Sequence, residues 1–308
     1  MAGYLVTGGC GFIGRHLTAA LLECGHSVTV LDDLSSGNPA SLPPAARLEK
    51  GCVTDLDRLA ELAEATDGVF HLAAIASIAA VEANRDRAHA VNAGGAANAV
   101  AAATRSHVPL VLISSAAVYG DTGPGAVSET HPCAPLSAYG ADKLEGERHA
   151  LDAAASGLSA TIVRPFNVYG PGQDAGSPYA GVISRFIAAA LAGTPLRVDG
   201  DGSQSRDFIF IDDLIRLLSA AMERRQPGVL VVNGCTGTAT SVAALAQEIG
   251  RICGGDIRIE PGPGKSGGVQ CSLGNPDRAE DLFGFRAEIP LQDGLQRTVA
   301  WQRGSAFQ

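Results

Sequence analysis

The 308-residue sequence lacks the marks of several protein classes. No apolar run approaches the length of a membrane span, so we expect no membrane partner. Residues 1–14 have neither the basic segment nor the cleavage pattern of a signal peptide. The seven cysteines are scattered and form no C-x-x-C pair. They predict free thiols in a reducing, cytoplasmic compartment and no metal site.

Positive charge is also scarce. The chain has 23 lysines and arginines against 32 aspartates and glutamates, which gives a net charge of −9 at pH 7. This balance argues against nucleic acid as a partner, although local arginines and helix ends can still hold a small anion. Apolar residues, in contrast, make up 46% of the chain. That content and this length predict a folded protein of one or two domains.

A glycine cluster near the start of the chain carries the first functional signal. It lies between a short apolar run at residues 4–6 and an apolar helical pattern. Strand, tight turn and helix together predict a pyrophosphate site, because glycines allow close approach and a helix N-terminus offers free N–H groups. Gly9, Gly11 and Gly14 fit the spacing G-x-G-x-x-G. Gly8, Gly11 and Gly14 fit the alternative G-x-x-G-x-x-G, and the sequence leaves both open.

The next predicted strand, at residues 27–31, ends in two carboxylates, Asp32 and Asp33. An acidic residue about twenty positions after such glycines typically accepts hydrogen bonds from the adenosine ribose hydroxyls. The same carboxylate would repel a 2′-phosphate, so Asp32 favours NAD over NADP.

Strand and helix patterns then alternate. Further strands are predicted at 47–51, 69–72, 109–114 and 161–163, with helices at 55–66, at 85–107 and from Ser137, which could cap the last one. This alternation predicts an α/β fold, a Rossmann-type doubly wound parallel sheet. Beyond residue 171 this regular alternation of strand and helix patterns ends. We therefore predict a cofactor domain over 1–170 and a smaller substrate domain over 171–308, with parts near 206–234 returning to the first domain.

Tyr139 and Lys143 lie four residues apart, so they share one face of a predicted helix. A tyrosine hydroxyl is a poor base near neutral pH because its reference pKa is about 10. A nearby ammonium group, together with the positive nicotinamide of NAD, stabilises the phenolate and lowers that pKa. Y-x-x-x-K alone also occurs by chance. Together with the glycine turn, Asp32 and Ser115 at the end of the fifth strand, it predicts an acid–base pair beside a nicotinamide.

Seven segments match one known family in its order along the chain: TGGCGFIG (7–14), DDLSSG (32–37), VFHLAA (69–74), SSAAVYG (114–120), YGADK (139–143), RPFNVYGPGQ (164–173) and RDFIFIDD (206–213). The sequence resembles the extended short-chain dehydrogenase/reductases, in particular the NAD-dependent nucleotide-sugar epimerase branch. The resemblance implies NAD as the cofactor, a UDP-sugar as the substrate and a homodimer formed through the helices near 85–107 and 137–156.

The resemblance also implies roles for individual residues. Ser115, Tyr139 and Lys143 would form the catalytic triad, and Asn92 would be a structural and proton-relay residue. The implied NAD site comprises Gly8, Gly11, Phe12, Ile13, Gly14, Asp32, Asp33, Ser35, Ser36, Gly37, Val53, Leu72, Ala73, Ala74, Asn92, Ser114, Tyr139, Lys143, Pro165 and Asn167. The implied sugar-nucleotide site comprises Ser77, Ser115, Ala116, Tyr139, Asn167, Val182, Arg206 and Lys265. A bidentate arginine such as Arg206 suits a diphosphate better than a surface ion pair with Asp207.

Differences among members of the branch favour one reaction. The sugar 4,6-dehydratases carry an Asp-Glu pair after the catalytic Ser or Thr, and the glucuronate decarboxylases usually carry a glutamate, whereas this sequence has Ala116 and Ala117. Epimerase-reductases need a Cys/His pair, but His131 and Cys133 lie outside the matching motif. The remaining chemistry is 4-epimerisation of UDP-glucose, UDP-N-acetylglucosamine or UDP-glucuronate through a transient 4-keto sugar. Alternatives are another nucleotide-sugar enzyme, either a decarboxylase or a dehydrogenase, and a catalytically idle NAD-binding regulator.

Three positions depart from the family pattern or bear on the sugar. Cys52, between Gly51 and Val53, stands where the family usually has an aspartate that contacts the adenine. This contact is therefore either missing or made by Asp55. Lys265 to Gly268 stand where the family has Arg-x-Gly-Asp, and lysine cannot form the bidentate fork. Ser272 is small, which would leave room for an N-acetyl group on the sugar.

Overall fold

The computed structural model describes residues 1–173, 181–254, 258–262 and 269–305. Within these ranges the strands are β1 (Gly3–Thr7), β2 (Ser27–Asp32), β3 (Arg47–Lys50), β4 (Gly68–His71), β5 (Leu110–Ile113), β6 (Ser159–Pro165), β7 (Asn167–Tyr169), β8 (Leu196–Asp199), β9 (Ser205–Phe210), β10 (Gly228–Gly234), β11 (Ala239–Ser241), β12 (Ile259–Gly262) and β13 (Cys271–Ser272).

The helices in the same ranges are α1 (Phe12–Glu23), α2 (Leu56–Glu64), α3 (Ile78–Ala83), α4 (Arg85–His89), α5 (Gly95–Ser106), α6 (Ala138–Asp152), α7 (Val182–Leu191), α8 (Ile211–Glu223), α9 (Val242–Cys253), α10 (Asp277–Phe283) and α11 (Leu291–Ser305). None of these described helices is long and apolar enough to cross a membrane. All seven cysteines lie in the described ranges and are free, as predicted.

A seven-stranded sheet organises the described residues, in the order β10-β6-β5-β4-β1-β2-β3. The run from β6 to β3 pairs in parallel. The chain order reverses between β1 and β4, where Thr7 lies opposite His71. In such sheets ligands bind beyond the carboxyl ends of the strands at this switch point. The predicted α/β Rossmann-type fold is confirmed.

The first of two compact units comprises Met1–Val118, Pro135–Arg164 and Ile215–Val232. All four residues of β5 are buried, as expected for a strand covered on both faces. On α2, Leu59, Leu62 and Ala63 share one buried face and belong to the same core cluster as the strands. This packing fixes the sheet on which the candidate site is built.

The second unit comprises Tyr119–Ala134, Pro165–Leu214 and Asn233–Gln308. Its central strand is β9, which pairs in parallel with β7 and β13 and antiparallel with β11. β8 and β12 form a separate parallel pair. The units are interleaved along the chain, and the predicted functional division into 1–170 and 171–308 stays a prediction.

The helix predicted over 85–107 is interrupted. A π-helical turn at Ala90–Gly94 separates α4 from α5. Asn92 lies in this turn, and its amide group accepts a hydrogen bond from the backbone N–H of Ile75 (2.7 Å) and donates to the carbonyl of Ile75 (3.1 Å). The alanine-rich pattern predicts helix but contains no signal for this tertiary contact. The short strands β7, β8, β11 and β13 were also missed, because strands of two to four residues leave little periodicity.

Asp207 is a fully buried carboxylate that holds together the turn after β10. It accepts hydrogen bonds from the backbone N–H groups of Thr236 and Gly237, both at 2.9 Å, and of Gly274 at 3.4 Å. The Thr236 hydroxyl donates to it as well, at 2.7 Å. The surface ion pair with Arg206 that the sequence left as an alternative is therefore not formed.

Replacing Asp207 with alanine should lower the free energy of unfolding by at least about 2 kcal/mol, because each buried donor left unpaired costs about 1–3 kcal/mol. Urea denaturation measures this loss. Asp212→Ala is the control, since Asp212 makes a partly exposed ion pair with Arg297 and such pairs contribute about 1 kcal/mol or less. Equal losses in the two variants would contradict the assignment of Asp207.

Candidate active site

The glycine turn after β1 has no room for side chains at two positions. Gly8 has a φ of +69°, and a Cβ atom there would lie 2.7 Å from the Cα atom of Ala73. A Cβ atom at Gly14 would lie 2.2 Å from the Gly8 carbonyl oxygen. At Gly11 the same contact would be 3.2 Å, so Gly11 is not required by packing. Gly8 and Gly14 therefore fix the turn geometry.

The other glycine of the two candidate spacings is also constrained. A Cβ atom at Gly9 would lie 2.5 Å from the side chain of Val30 on β2. Gly11 is the N-cap residue of α1 and has no side chain that could cap the helix. The first N–H groups of α1 are therefore available to an anion. The turn fits a dinucleotide pyrophosphate, which could approach the protein backbone closely at Gly11.

Thr7 fastens this turn to the end of β4. Its hydroxyl oxygen accepts hydrogen bonds from the backbone N–H groups of Leu72 (3.2 Å) and Ala73 (3.3 Å). Since both lone pairs are thus used, the hydroxyl donates to Nδ1 of His71, 3.0 Å away. The imidazole proton is therefore assigned to Nε2, which has no partner among the described residues. Burial, with the Lys143 charge, lowers the pKa of His71 to about 3, so the ring is neutral.

Asp32, at the carboxyl end of β2, is buried beside the turn. Its carboxylate accepts hydrogen bonds from the backbone N–H groups of Cys10 and Leu34, each at 2.9 Å. The neighbouring Asp33 accepts from the backbone of Ser35 at 2.9 Å and lies 3.4 Å from Arg87. Asp32 is thus held in a fixed orientation at the place predicted for an adenosine ribose.

The alternative adenine contact by Asp55 is disfavoured. Asp55 is exposed and is the N-cap residue of α2, where its side chain accepts the backbone N–H of Arg58 at 3.0 Å. Cys52 takes the usual aspartate position, and the next residue, Val53, is buried against Gly95, where a Cβ atom would lie 2.5 Å from the valine side chain. Its carbonyl accepts from Asn98 at 2.9 Å.

The predicted catalytic residues all lie in the first unit, and the structure brings them together. Ser137 caps α6 as predicted, accepting the backbone N–H of Gly140 at 3.1 Å. Tyr139 and Lys143 then lie one turn apart, with the ammonium nitrogen 5.9 Å from the centre of the tyrosine ring. The hydroxyl groups of Tyr139 and Ser115 are hydrogen-bonded. Lys143 donates to the carbonyl of Ile113, at the end of β5, at 2.8 Å.

Burial dominates the pKa values of Tyr139 and Lys143. Desolvation raises the pKa of Tyr139 to about 12, and the hydrogen bond from Ser115 opposes this only in part. Desolvation also lowers the pKa of Lys143 to about 8, against the carboxylates of Glu147 and Asp142. In the protein alone, burial and Ser115 set the pKa of Tyr139. The expected lowering of this pKa by Lys143 together with the nicotinamide of bound NAD stays a prediction.

The remaining predicted residues of the first unit lie at strand ends and helix starts. Ser77 is buried and caps α3 through the backbone N–H of Ala80, and Ala116 opens a short 3₁₀ turn, Ala116–Val118. A Cβ atom at Gly37 would lie 2.5 Å from Cβ of Cys10. Phe12 and Ile13 begin α1, and Ser114 follows β5. After β2 come Ser35 and Ser36, and after β4 come Leu72, Ala73 and Ala74.

Four predicted residues belong to the second unit, namely Pro165, Asn167, Val182 and Arg206. Arg206 is half-buried on β9, and its guanidinium donates to the carbonyls of Ser205 (2.7 Å) and Gln270 (3.4 Å). Burial lowers its pKa. In the described part of the chain it makes no ion pair with a carboxylate. Asn167 donates to the carbonyl of Asp207 at 2.9 Å.

Ser272 lies opposite Arg206 in the register of β13 and β9. The prediction for Lys265, like that for the whole stretch to Gly268, lies outside the described residues. Sequence reasoning missed Glu147, a buried carboxylate on the same helix face as Lys143. Its position four residues after Lys143 was the available signal.

Residues 4–233 match the sequence model of the NAD-dependent epimerase/dehydratase family. The chain belongs to this family. It is 34% identical over 316 residues to a UDP-glucose 4-epimerase of Mycolicibacterium smegmatis, covering 98% of this chain and 99% of that protein. It is 32% identical over 313 residues to a UDP-N-acetyl-alpha-D-glucosaminuronate decarboxylase of Bacillus cytotoxicus, covering 97% of each.

A solved structure shows the same similarity for the fold. The UDP-glucose 4-epimerase of Thermotoga maritima with UDP-glucose superposes with a TM-score of 0.93 at 32% identity, covering 99% of each chain. Similar proteins of this NAD-dependent epimerase/dehydratase family have been solved with NAD bound. The predicted family and cofactor are confirmed. The chain is an NAD-dependent enzyme of the nucleotide-sugar epimerase/dehydratase type.

Two alanine substitutions separate packing from cofactor approach. Gly14→Ala forces a Cβ atom against the Gly8 carbonyl and should cost about 1–3 kcal/mol of unfolding free energy. Gly11→Ala should change that free energy by less than about 1 kcal/mol, yet weaken NAD binding, because the added methyl group covers the approach to the N-terminus of α1. Urea denaturation and NAD titration measure the two effects. Strong NAD binding by Gly11→Ala would contradict the placement of the pyrophosphate.

Proposed function

We propose that this enzyme catalyses the NAD-dependent 4-epimerisation of a UDP-sugar. The observation that carries the proposal is the group formed by Ser115, Tyr139 and Lys143, followed by Ala116 and Ala117. This group supplies a proton acceptor and a hydrogen-bond donor for oxidising and reducing a hydroxyl group. The two alanines place no carboxylate next to Ser115 for the removal of water or carbon dioxide.

The proton steps follow from the chain's own side chains. NAD, when bound, accepts and returns the hydride of the sugar carbon. Tyr139 takes the proton of the C4 hydroxyl group and later returns one to the C4 oxygen. Ser115, hydrogen-bonded to Tyr139, stabilises the same oxygen as its charge changes. Lys143 is one helical turn away and, when protonated, favours the phenolate form.

Inversion also needs a fixed nucleotide, so that the sugar alone turns over between the two hydride steps. Arg206 supports this role, because its described partners are neutral carbonyl oxygens and its charge remains available to a diphosphate. An arginine can contact two phosphate oxygens at once. Asn167 would add an amide contact, and the contributions of Val182 and Lys265 remain predictions.

A decarboxylase is the second candidate, favoured by the relative in Bacillus cytotoxicus. Ala117 argues against it, since the resemblance places a glutamate there in glucuronate decarboxylases. A dehydrogenase that releases NADH would need exchangeable cofactor. An idle NAD-binding regulator would have no need of the Ser115, Tyr139 and Lys143 group. Homodimerisation and a cytoplasmic location stay predictions.

The substrate is tested with purified protein to which no cofactor is added. UDP-glucose, UDP-N-acetylglucosamine and UDP-glucuronate are supplied separately, and the sugar is followed by proton NMR. We expect a product inverted at C4 to accumulate to equilibrium from at least one of them, because NAD is regenerated in each cycle. Formation of a pentose from UDP-glucuronate would instead establish the decarboxylase. No product from any sugar, with NAD added, would refute the epimerase.

Tyr139→Phe removes only the hydroxyl group that moves the proton. We expect kcat to fall at least about 100-fold, in line with the usual contribution of general acid–base catalysis, while NAD stays bound. NMR rates and the absorbance of released NAD measure the two quantities. Tyr169→Phe is the matched control, since its hydroxyl group donates to the carbonyl of Leu291 (3.2 Å) in the second unit. Near-normal turnover by Tyr139→Phe would contradict the assignment.

A further inference from the structure

Glu147 is a fully buried carboxylate with three donors. Arg164, on β6, donates to it through Nε at 2.9 Å and through Nη2 at 2.6 Å. The hydroxyl group of Ser114 donates to the same oxygen as the Arg164 Nε. A buried pair of this kind is geometrically rigid, because a bidentate guanidinium–carboxylate contact fixes both planes. An apolar pair of similar size would often be as stable, so stability alone does not account for it.

The position of Glu147 connects it to the proposed catalytic group. It lies four residues after Lys143, on the same face of α6. Lys143 donates to the carbonyl of Ile113, and Glu147 accepts from Ser114, the residue that follows. The next residue is Ser115. Two side chains of one helix face therefore hold residues 113–114, one through the Ile113 carbonyl and the other through the Ser114 hydroxyl, directly before the residue proposed to contact the substrate oxygen.

Few charged groups face Lys143 from the elements packed against it. On its own helix these are Tyr139, Asp142 and Glu147, and from β4 it is His71, which is neutral. Asp142 is itself paired with Arg85, in two contacts of 2.6 Å, and with His89 at 2.9 Å.

We infer that Glu147 is a positioning residue of the proposed active site: clamped by Arg164, it fixes Ser114 and hence Ser115, and its charge keeps a proton on Lys143. The inference rests on the proposed function for the roles of Ser115 and Lys143. The coupling between Glu147 and Lys143 is independent of that function. Burial favours neutral Lys143, and Glu147 opposes this.

The first test compares Glu147→Gln with Glu248→Gln. Glu248 accepts two hydrogen bonds from Arg251 on the partly exposed side of α9, at 3.0 and 2.7 Å, so both substitutions remove one charge from a two-contact pair. Glu147→Gln should lower kcat at least about 10-fold with KM within about 3-fold. The fall of kcat at alkaline pH should begin at least about half a pH unit lower, because Lys143 loses its proton more easily. Glu248→Gln should match the wild type.

A second variant covers the case in which Glu147→Gln leaves Arg164 unpaired and the protein fails to fold. Glu147→Gln/Arg164→Met removes both charges of the pair. It should fold, bind NAD and show the same loss of kcat, because Ser114 loses the same acceptor. Its alkaline shift should be smaller than that of Glu147→Gln, because the positive charge of Arg164 is removed together with the negative charge of Glu147. Wild-type kcat and an unshifted pH profile in a folded variant would overturn the inference.

The second test needs no activity. The pKa of Lys143 is about 8 in the folded protein against an ordinary 10.5, so the folded state binds fewer protons between these values. The contribution of Lys143 to stability therefore rises as the pH increases from about 8 to 10.5. It is isolated by comparing unfolding midpoints of the wild type and of each Glu147 variant with the same protein carrying Lys143→Met.

In Glu147→Gln this rise in stability should begin at least about half a pH unit lower than in the wild type, and in the double variant it should begin between the two. An unmoved onset would overturn the inference even if the enzyme proved inactive. If the wild type converts no UDP-sugar, the proposed function fails and the onset still decides whether Glu147 holds the proton on Lys143. The two failures are thus distinguishable.

Discussion

Desolvation of ionisable side chains on one face of α6 is the constraint on which the rest of the site depends. Burial raises the pKa of Tyr139 and lowers that of Lys143, and both shifts favour the uncharged form. The protein groups alone therefore leave the tyrosine protonated. The protonation of Tyr139 and Lys143 then depends on the charges of the bound cofactor and substrate. Proton transfer is in this way coupled to their binding.

The parallel sheet explains why the cofactor turn and the acid–base group belong to one unit. Carboxyl ends of parallel strands meet at one edge, and Thr7, His71 and Ile113 each end a neighbouring strand of this sheet. Burial, with the Lys143 charge, keeps His71 neutral, and the Thr7 hydroxyl donates to its Nδ1. The neutral His71 ring adds no second positive charge near Lys143, whose protonated form is already disfavoured by burial.

Within one family, reactions that begin with the same oxidation can end differently. Proton and hydride transfer at a hydroxyl carbon needs a base, a hydrogen-bond donor and a nicotinamide, whereas elimination needs further acid–base groups. Ala116 and Ala117 supply none. A site limited in this way favours the proposed reaction, in which the oxidised sugar is simply reduced again, and the role inferred for the buried Glu147 is to position and charge the acid–base group.

The sequence predicted those parts of the site that depend on neighbouring residues. The glycine turn, the Ser137 cap of α6 and the one-turn spacing of Tyr139 and Lys143 are local, so their residue patterns were sufficient. The sequence could not choose between the two glycine spacings, because Gly8 and Gly9, in which the spacings differ, are both constrained in the folded turn, by Ala73 and by Val30. Each compact unit is assembled from three segments, and the residue pattern gave no sign that Tyr119–Ala134 belongs to the second unit.

The sequence by itself determined the family, the cofactor and the parallel α/β fold, and it predicted Ser115, Tyr139 and Lys143 as the acid–base residues. Only the tertiary structure decided that the helix at 85–107 is interrupted where Asn92 binds Ile75. It also decided that Asp207 is buried under backbone N–H groups and does not pair with Arg206, and that burial opposes ionisation of Tyr139. These outcomes depend on partners distant in sequence and on exclusion of water, and neither leaves a local residue pattern.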